Sequence, residues 1–141
     1  MIKKILPIAF LLYSTASFAS PDFIAKYGSD SWIKVFEESN EKDYYTLKGI
    51  YRDGNTAQIV ELRDFSVEQM DGGKYIYKTK FHLYQFQCRE GTFKVLYTQT
   101  RQNNMGKGAG VFEDSIPTPT YTGIREGTSV YQLWRIACFG G

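Results

Sequence analysis

One histidine, two cysteines and four prolines are all that 141 residues hold of the side chains most often recruited for metal ligation, disulfide frameworks and chain breaking. A lone imidazole, His82, leaves any His-dependent triad with one base and no nucleophile motif beside it. Two cysteines without a C-x-x-C cannot complete an ordinary zinc site, so neither a metal nor a cofactor is called for. An excess of one charge is also missing. Seventeen Lys and Arg against 15 Asp and Glu leave a net +2, too little to announce a nucleic-acid partner. Beyond the first twenty residues no apolar run approaches the roughly 17–25 residues that span a bilayer.

What is present is a chain of single-domain length with 16% aromatic and 23% charged residues, a composition that folds around one modest core. Met1-Ile2-Lys3-Lys4 precedes an apolar run from Ile5 to Ala16 and then Ser17-Phe18-Ala19. A basic start, a hydrophobic stretch of about a dozen residues and small residues at −3 and −1 make residues 1–19 a secretory signal peptide. The single domain is then 20–141, exported to the periplasm or to the cell surface and medium. No cysteine stands directly after the apolar run, the two in the chain being Cys88 and Cys138, so no lipid anchor is expected. Removal of the signal takes Lys3 and Lys4 with it and cancels the net charge. In an oxidising compartment two thiols in a small domain pair, and closing Cys88 to Cys138 stabilises the fold by about 4 kcal/mol.

Residues 20–30 form a short lead-in with weak helical character. Strands are then predicted at Trp32–Phe36, Tyr44–Tyr51, Thr56–Phe65, Lys74–Gln87, Thr92–Arg101 and around Gly108–Glu113. Asp53-Gly54-Asn55 and Asp71-Gly72-Gly73 mark hairpin turns. Within the longest run, Tyr75, Tyr77, Phe81 and Leu83 share one phase and Tyr84, Phe86 and Cys88 the other. A bulge or bend near Lys80–His82 would re-aim the second half. Residues 114–127, with Pro117, Pro119, Gly123 and Gly127, form an irregular connection. Val130, Leu133, Trp134, Ala137 and Cys138 then recur at helical spacing, with Ser129 and Gln132 in the form of a capping box and Gly140-Gly141 as the stop. The fold class is α+β: an antiparallel meander of about six strands with a C-terminal amphipathic helix on one face, fastened by one disulfide.

Three groups of residues invite a functional reading. A sheet-built hydrolase would use His82 with Glu61 or Glu90 and with Arg63 or Arg101; a histidine on a half-buried strand is the more ordinary explanation, and no enzymatic role is expected. Gly106-Lys107-Gly108-Ala109-Gly110 lacks the Gly-Lys-Ser/Thr ending and the following helix of a phosphate loop, and reads as a wide turn. Lys74, Lys78 and Lys80 alternate with Tyr75 and Tyr77, with Arg89 near the far end of the same strand. Aromatic and basic residues so interleaved either form a solvated edge or meet a partner, and these six are the candidate partner-binding residues.

The order and spacing of several features resemble the surface-adhesin protein E family of Gram-negative bacteria. They are the opening strand with Trp32, Tyr44-Tyr45 entering a strand, Asp53-Gly54-Asn55, the Tyr/Phe-rich strand ending in Cys88, Met105-Gly106-Lys107-Gly108, and Gly127-Thr128-Ser129 opening a helix that ends in Cys138. The resemblance spans residues 30–139. It implies a compact antiparallel sheet with a C-terminal helix, adhesion to host matrix or serum proteins such as laminin, vitronectin and plasminogen, and a capacity to form homodimers. Tyr121 stands where many relatives carry Trp, and the anchor Cys of the family's lipidated adhesin is missing. A periplasmic accessory or small-ligand-binding protein on the same scaffold is the alternative, because fold is better evidence for architecture than for activity.

Overall fold

The computed structural model describes residues 22–114 and 120–141. The segment read as a signal peptide and the two prolines at 117 and 119 lie outside that range.

The described chain runs α1 (Phe23–Tyr27), β1 (Ile33–Glu38), β2 (Glu41–Tyr45), a 3₁₀ turn (Leu47–Gly49), β3 (Tyr51–Asp53), β4 (Thr56–Asp71), β5 (Tyr75–Gln87), β6 (Thr92–Arg101), β7 (Gly110–Asp114), β8 (Thr122–Gly123) and α2 (Ser129–Phe139). All strand pairs are antiparallel and lie in one sheet, ordered β1-β2-β4-β5-β6-β7, with β3 also on β4 and β8 also on β6. The α+β meander with its C-terminal helix stands as expected, with two further short strands.

One expected strand is divided. Tyr44–Tyr51 does not run straight because Thr46, fully buried, accepts a hydrogen bond from Lys48 N (3.3 Å) and opens the 3₁₀ turn. Two short strands, β2 and β3, therefore share one edge of β4.

The phase slip in β5 also resolves differently. From Thr79 to Gln87 the strand pairs with β4 in unbroken register, so no bulge sits on that edge at Lys80–His82. Both phases are buried because both sheet faces are covered. Phe81 faces a cluster with Val60, Leu62 and Tyr97 that is closed by Phe23 of α1 and flanked by Trp32. Tyr84, Phe86 and Cys88 face a second cluster with Ala57 and Ile59 of β4 and with Leu133, Ala137 and Cys138 of α2. The register breaks fall to either side, at Lys78 against β4 and between Leu83 and Tyr84 against β6, where Leu96 is the extra residue. The lead-in, read as weakly helical, thus covers part of one sheet face, beside Trp32 and Met105. Asp22 caps it by accepting from Ile24 N and Ala25 N (3.1 Å each).

Helix α2 is capped by Thr128 rather than Ser129: Thr128 has extended backbone and its hydroxyl accepts from Tyr131 N (3.2 Å), while Ser129 is buried in the first turn. Gly140 ends the helix in the left-handed conformation (φ 82°). The Cys88–Cys138 disulfide joins the end of β5 to the last turn of α2, and Trp134 Nε1 donates to the Cys88 carbonyl (3.2 Å). Arg52 reaches the same helix end and donates to the carbonyls of Ala137 and Cys138.

Candidate functional site

β4 and β5 outrun their neighbours. The last β2 partner of β4 is Phe65 and the last β6 partner of β5 is Thr79, so beyond them the hairpin continues as a two-stranded ribbon pairing Gln69–Asp71 with Tyr75–Tyr77. At its root the turn Asn104–Gly106 acts as a clasp. Asp64 Oδ1 accepts from Asn104 Nδ2 (3.0 Å) and Met105 N (2.8 Å), and Thr79 Oγ1 accepts from Gly106 N (3.0 Å) while donating to the Asn103 carbonyl (2.6 Å). A Cβ on Gly106 would lie 2.6–2.8 Å from Ile24 and Phe81, and its φ is +75°. The glycine-rich stretch is therefore a packing turn, as its missing phosphate-loop features suggest.

The six candidate partner-binding residues divide along this ribbon. Lys74 lies at its tip with Tyr75, over whose ring its ammonium sits (5.2 Å), and Lys78 lies near its root. Tyr77 is 4% exposed, packs edge-on against Phe65 (6.1 Å) and donates to Asp71 Oδ1 (3.1 Å). Burial first, then Asp71, pushes its hydroxyl up to about 12. Lys80 lies over the Tyr77 ring (5.7 Å) and pairs with Asp71 (3.5 Å), so both stiffen the ribbon. Arg89 sits in the β5–β6 turn at the opposite end of the strand, roughly 40 Å from the tip by strand rise. The residues that sequence reasoning passed over are apolar. Val67, Met70 and Ile76 are 53%, 57% and 44% exposed, and Met70 pairs directly across from Ile76. Their only signal in the sequence is that Met70 and Ile76 flank the Asp71-Gly72-Gly73 turn.

The residues weighed for hydrolysis divide as well. Glu61, Arg63 and His82 converge on the sheet face beneath the start of α2, whereas Glu90 bonds Asn55 (2.6 Å) and Arg101 pairs with Asp22 (3.4 Å) elsewhere. The fully buried Glu61 accepts on one oxygen, Oε1, from Arg63 Nε (2.8 Å) and Tyr84 OH (2.9 Å), with His82 Nδ1 at 3.1 Å. Arg63 also reaches Ser129 Oγ (3.5 Å). Glu61 Oε2 and both Asp43 oxygens are buried with no hydrogen-bond partner. Burial alone would raise the Glu61 carboxyl, but the His82 hydrogen bond and the Arg63 charge outweigh it and hold Glu61 low. Burial, then the neighbouring Glu41 and Glu61, pushes Asp43 up to about 9, so it is protonated at neutral pH. Burial lowers His82 despite Glu61, and pushes Tyr84 well above its ordinary range. This network has the ingredients of acid–base chemistry but keeps its carboxylate sealed and its phenol protonated. Its contacts are those of an internal ion-pair cluster. Among the described residues no group of three or more His, Cys, Asp or Glu side chains is arranged to hold a metal.

On the opposite sheet face, between α1 and the Gly49–Tyr51 stretch, lies a groove of about 510 Å³ with Leu83 and Tyr97 in its floor. No helix among the described residues is long and apolar enough to cross a membrane.

Comparison with known proteins agrees with this architecture. Solved structures of Haemophilus influenzae protein E superpose with a TM-score of 0.59 at 13% identity, covering 79% of this chain and 87% of that one, and, in a second crystal form, 0.60 at 12%, covering 77% and 87%. Protein E from non-typeable Haemophilus influenzae gives 0.57 at 12%, covering 77% and 76%. At such identities the likeness speaks for the fold. Curated protein sequences give no match. The family model for surface-adhesin protein E matches residues 32–139, the span of the sheet and helix just described, and the chain belongs to that family.

Proposed function

We propose that the protein is an exported, non-enzymatic adhesin that binds host extracellular-matrix or serum proteins, of the laminin, vitronectin and plasminogen class, through the tip of the β4–β5 hairpin. Family membership supports adhesion in general. The observation that carries the choice of surface is the exposed Met70–Ile76 pair on a ribbon that also carries Lys74 and Lys78. Exposed apolar side chains beside cations suit a protein partner with an acidic rim, since apolar contacts supply affinity and charges supply orientation and on-rate. Residues 1–19 would direct export, and a disulfide between Cys88 and Cys138 suits the oxidising compartment that export reaches. The test combines surface protease accessibility on intact cells with binding of the purified protein to immobilised laminin, vitronectin and plasminogen. Surface exposure with saturable binding to one of them is expected; a protein confined to the periplasm that binds none would refute the reading.

A further inference from the structure

The groove on the α1 face has no part in the adhesive reading. Its construction follows from strand alternation. In β3, Arg52 pairs with Ala57 and reaches the end of α2, so Tyr51, one residue earlier and paired with Gln58, faces the other side of the sheet. There Tyr51 forms one wall and is 61% exposed, a large aromatic that the core does not use. Phe23 and Tyr27 of α1 form the other wall. Both walls are fixed: α1 by its Asp22 cap and the burial of Phe23, β3 by its pairing with β4 and by the Arg52 bonds to α2. The volume, about 510 Å³, falls within the roughly 300–1,000 Å³ of small-molecule sites.

Charge decides what would enter. Lys26 from α1 and Lys48 from the 3₁₀ turn both line the groove; both are exposed, the Lys26 ammonium lies over the ring of the wall residue Tyr27 (5.4 Å), and neither lysine makes an ion pair among the described residues. No acidic residue lines it. Two other grooves among the described residues contrast with it: one contains Glu38, Glu41 and Asp64, the other Glu68 with Lys78 and Lys107, and neither has an aromatic lining residue.

We infer that this groove binds a small amphiphilic carboxylate of the fatty-acid type, its acyl chain along Leu83, Tyr97 and the aromatic walls and its carboxylate between Lys26 and Lys48. This site is separate from the hairpin tip and does not depend on the adhesive reading.

The experiment is isothermal titration of the exported, disulfide-bonded protein with sodium decanoate below its micelle concentration. Saturable one-site binding is expected, weakened at least about tenfold in Lys26→Glu/Lys48→Glu, where both positions are exposed and the fold is retained. Tyr51→Ala, which trims the exposed wall, provides a second, uncharged variant and should also bind more weakly. Lys74→Glu/Lys78→Glu at the hairpin should bind decanoate as the unaltered protein does, which separates this site from the adhesive one. Decyltrimethylammonium should bind at least about tenfold more weakly, because its head repels both lysines. Absence of saturable decanoate binding, equal binding of the cationic amphiphile, or binding unchanged in the Lys26/Lys48 variant would overturn the inference. So would lysine-dependent binding to phosphatidylglycerol vesicles without binding of free decanoate, which would make the surface a membrane contact.

Discussion

From Thr56 to Asp64, β4 lies between two covered faces, with Ala57, Ile59, Val60, Glu61 and Leu62 all buried; from Val67 to Asp71 the same strand leaves Val67 and Met70 more than half exposed. Its partner β5 behaves alike, burying Phe81, Tyr84 and Phe86 but exposing Ile76. The two halves share residue types and backbone pairing. What differs is their neighbours: the inner half has β2, β3 and β6 beside it and α1 and α2 above and below, and the outer half has none of these. Burial here is a property of topology more than of the strand's own sequence. The buried core lies in the inner half, and the proposed recognition surface lies on the outer half.

The largest test of that division is the disulfide. Cys88→Ser/Cys138→Ser opens a link across 50 residues and should cost about 4 kcal/mol in denaturant unfolding. A loss below about 1 kcal/mol would show that the α2 end is held by packing alone.

Next in size is Glu61→Gln, which leaves Arg63 beside a neutral amide in a largely buried cluster. A cost of about 3 kcal/mol is expected from unfolding curves at neutral pH. Because the Glu61 carboxylate partly offsets the effect of burial on His82, the same substitution should lower the His82 pKa further, read by NMR titration of the protein's single imidazole.

Asp43→Asn should act through pH. A carboxyl raised from 3.8 to about 9 on folding gives stability that is complete below pH 3.8 and lost as pH rises through 9. Glu61, lowered from 4.5, works in the other direction: its contribution is present above pH 4.5 and lost as pH falls toward its folded value. Stability of the unaltered protein between pH 5 and 9 should therefore decline more steeply than that of Asp43→Asn, measured by urea unfolding across the range. Parallel curves would mean that Asp43 is ionised in the folded protein.

Smallest in stability should be Met70→Ser/Ile76→Ser. Met70 is 57% and Ile76 44% exposed, and their loss removes one cross-strand pair and no core contact, so the change in unfolding free energy should stay within about 1 kcal/mol.

Much of the inner half was legible in the sequence because its signals are local. Gly54 takes the positive φ (62°) that the Asp53-Gly54-Asn55 turn asked for, β6 runs from Thr92 to Arg101 as predicted, and the apolar period of α2 faces the core. The break at Thr46 was not legible, because a buried hydroxyl capping a 3₁₀ turn looks in sequence like another β-branched strand residue. The role of Phe23 was hidden for a related reason: a five-residue helix has little period of its own, and only the opposite sheet face shows what it covers. Glu61, Arg63, His82 and Tyr84 are spaced two apart on two strands, but their meeting depends on the Glu61–His82 register, which no local signal carries. The exposed hairpin depends in the same way on where β2 and β6 stop. Of the six residues chosen for partner binding, Tyr77 and Lys80 are engaged in stiffening the hairpin and Arg89 is remote, which leaves Lys74, Tyr75 and Lys78 beside the apolar pair.

The most direct test of the division is surface plasmon resonance on immobilised laminin, vitronectin and plasminogen, comparing a hairpin variant, Met70→Ser/Lys74→Glu/Ile76→Ser/Lys78→Glu, with Arg135→Glu on the exposed side of α2. The hairpin variant should lose at least about tenfold in affinity while unfolding as the unaltered protein does, and Arg135→Glu should bind normally. Full binding by the hairpin variant, or loss of binding in Arg135→Glu alone, would contradict the account.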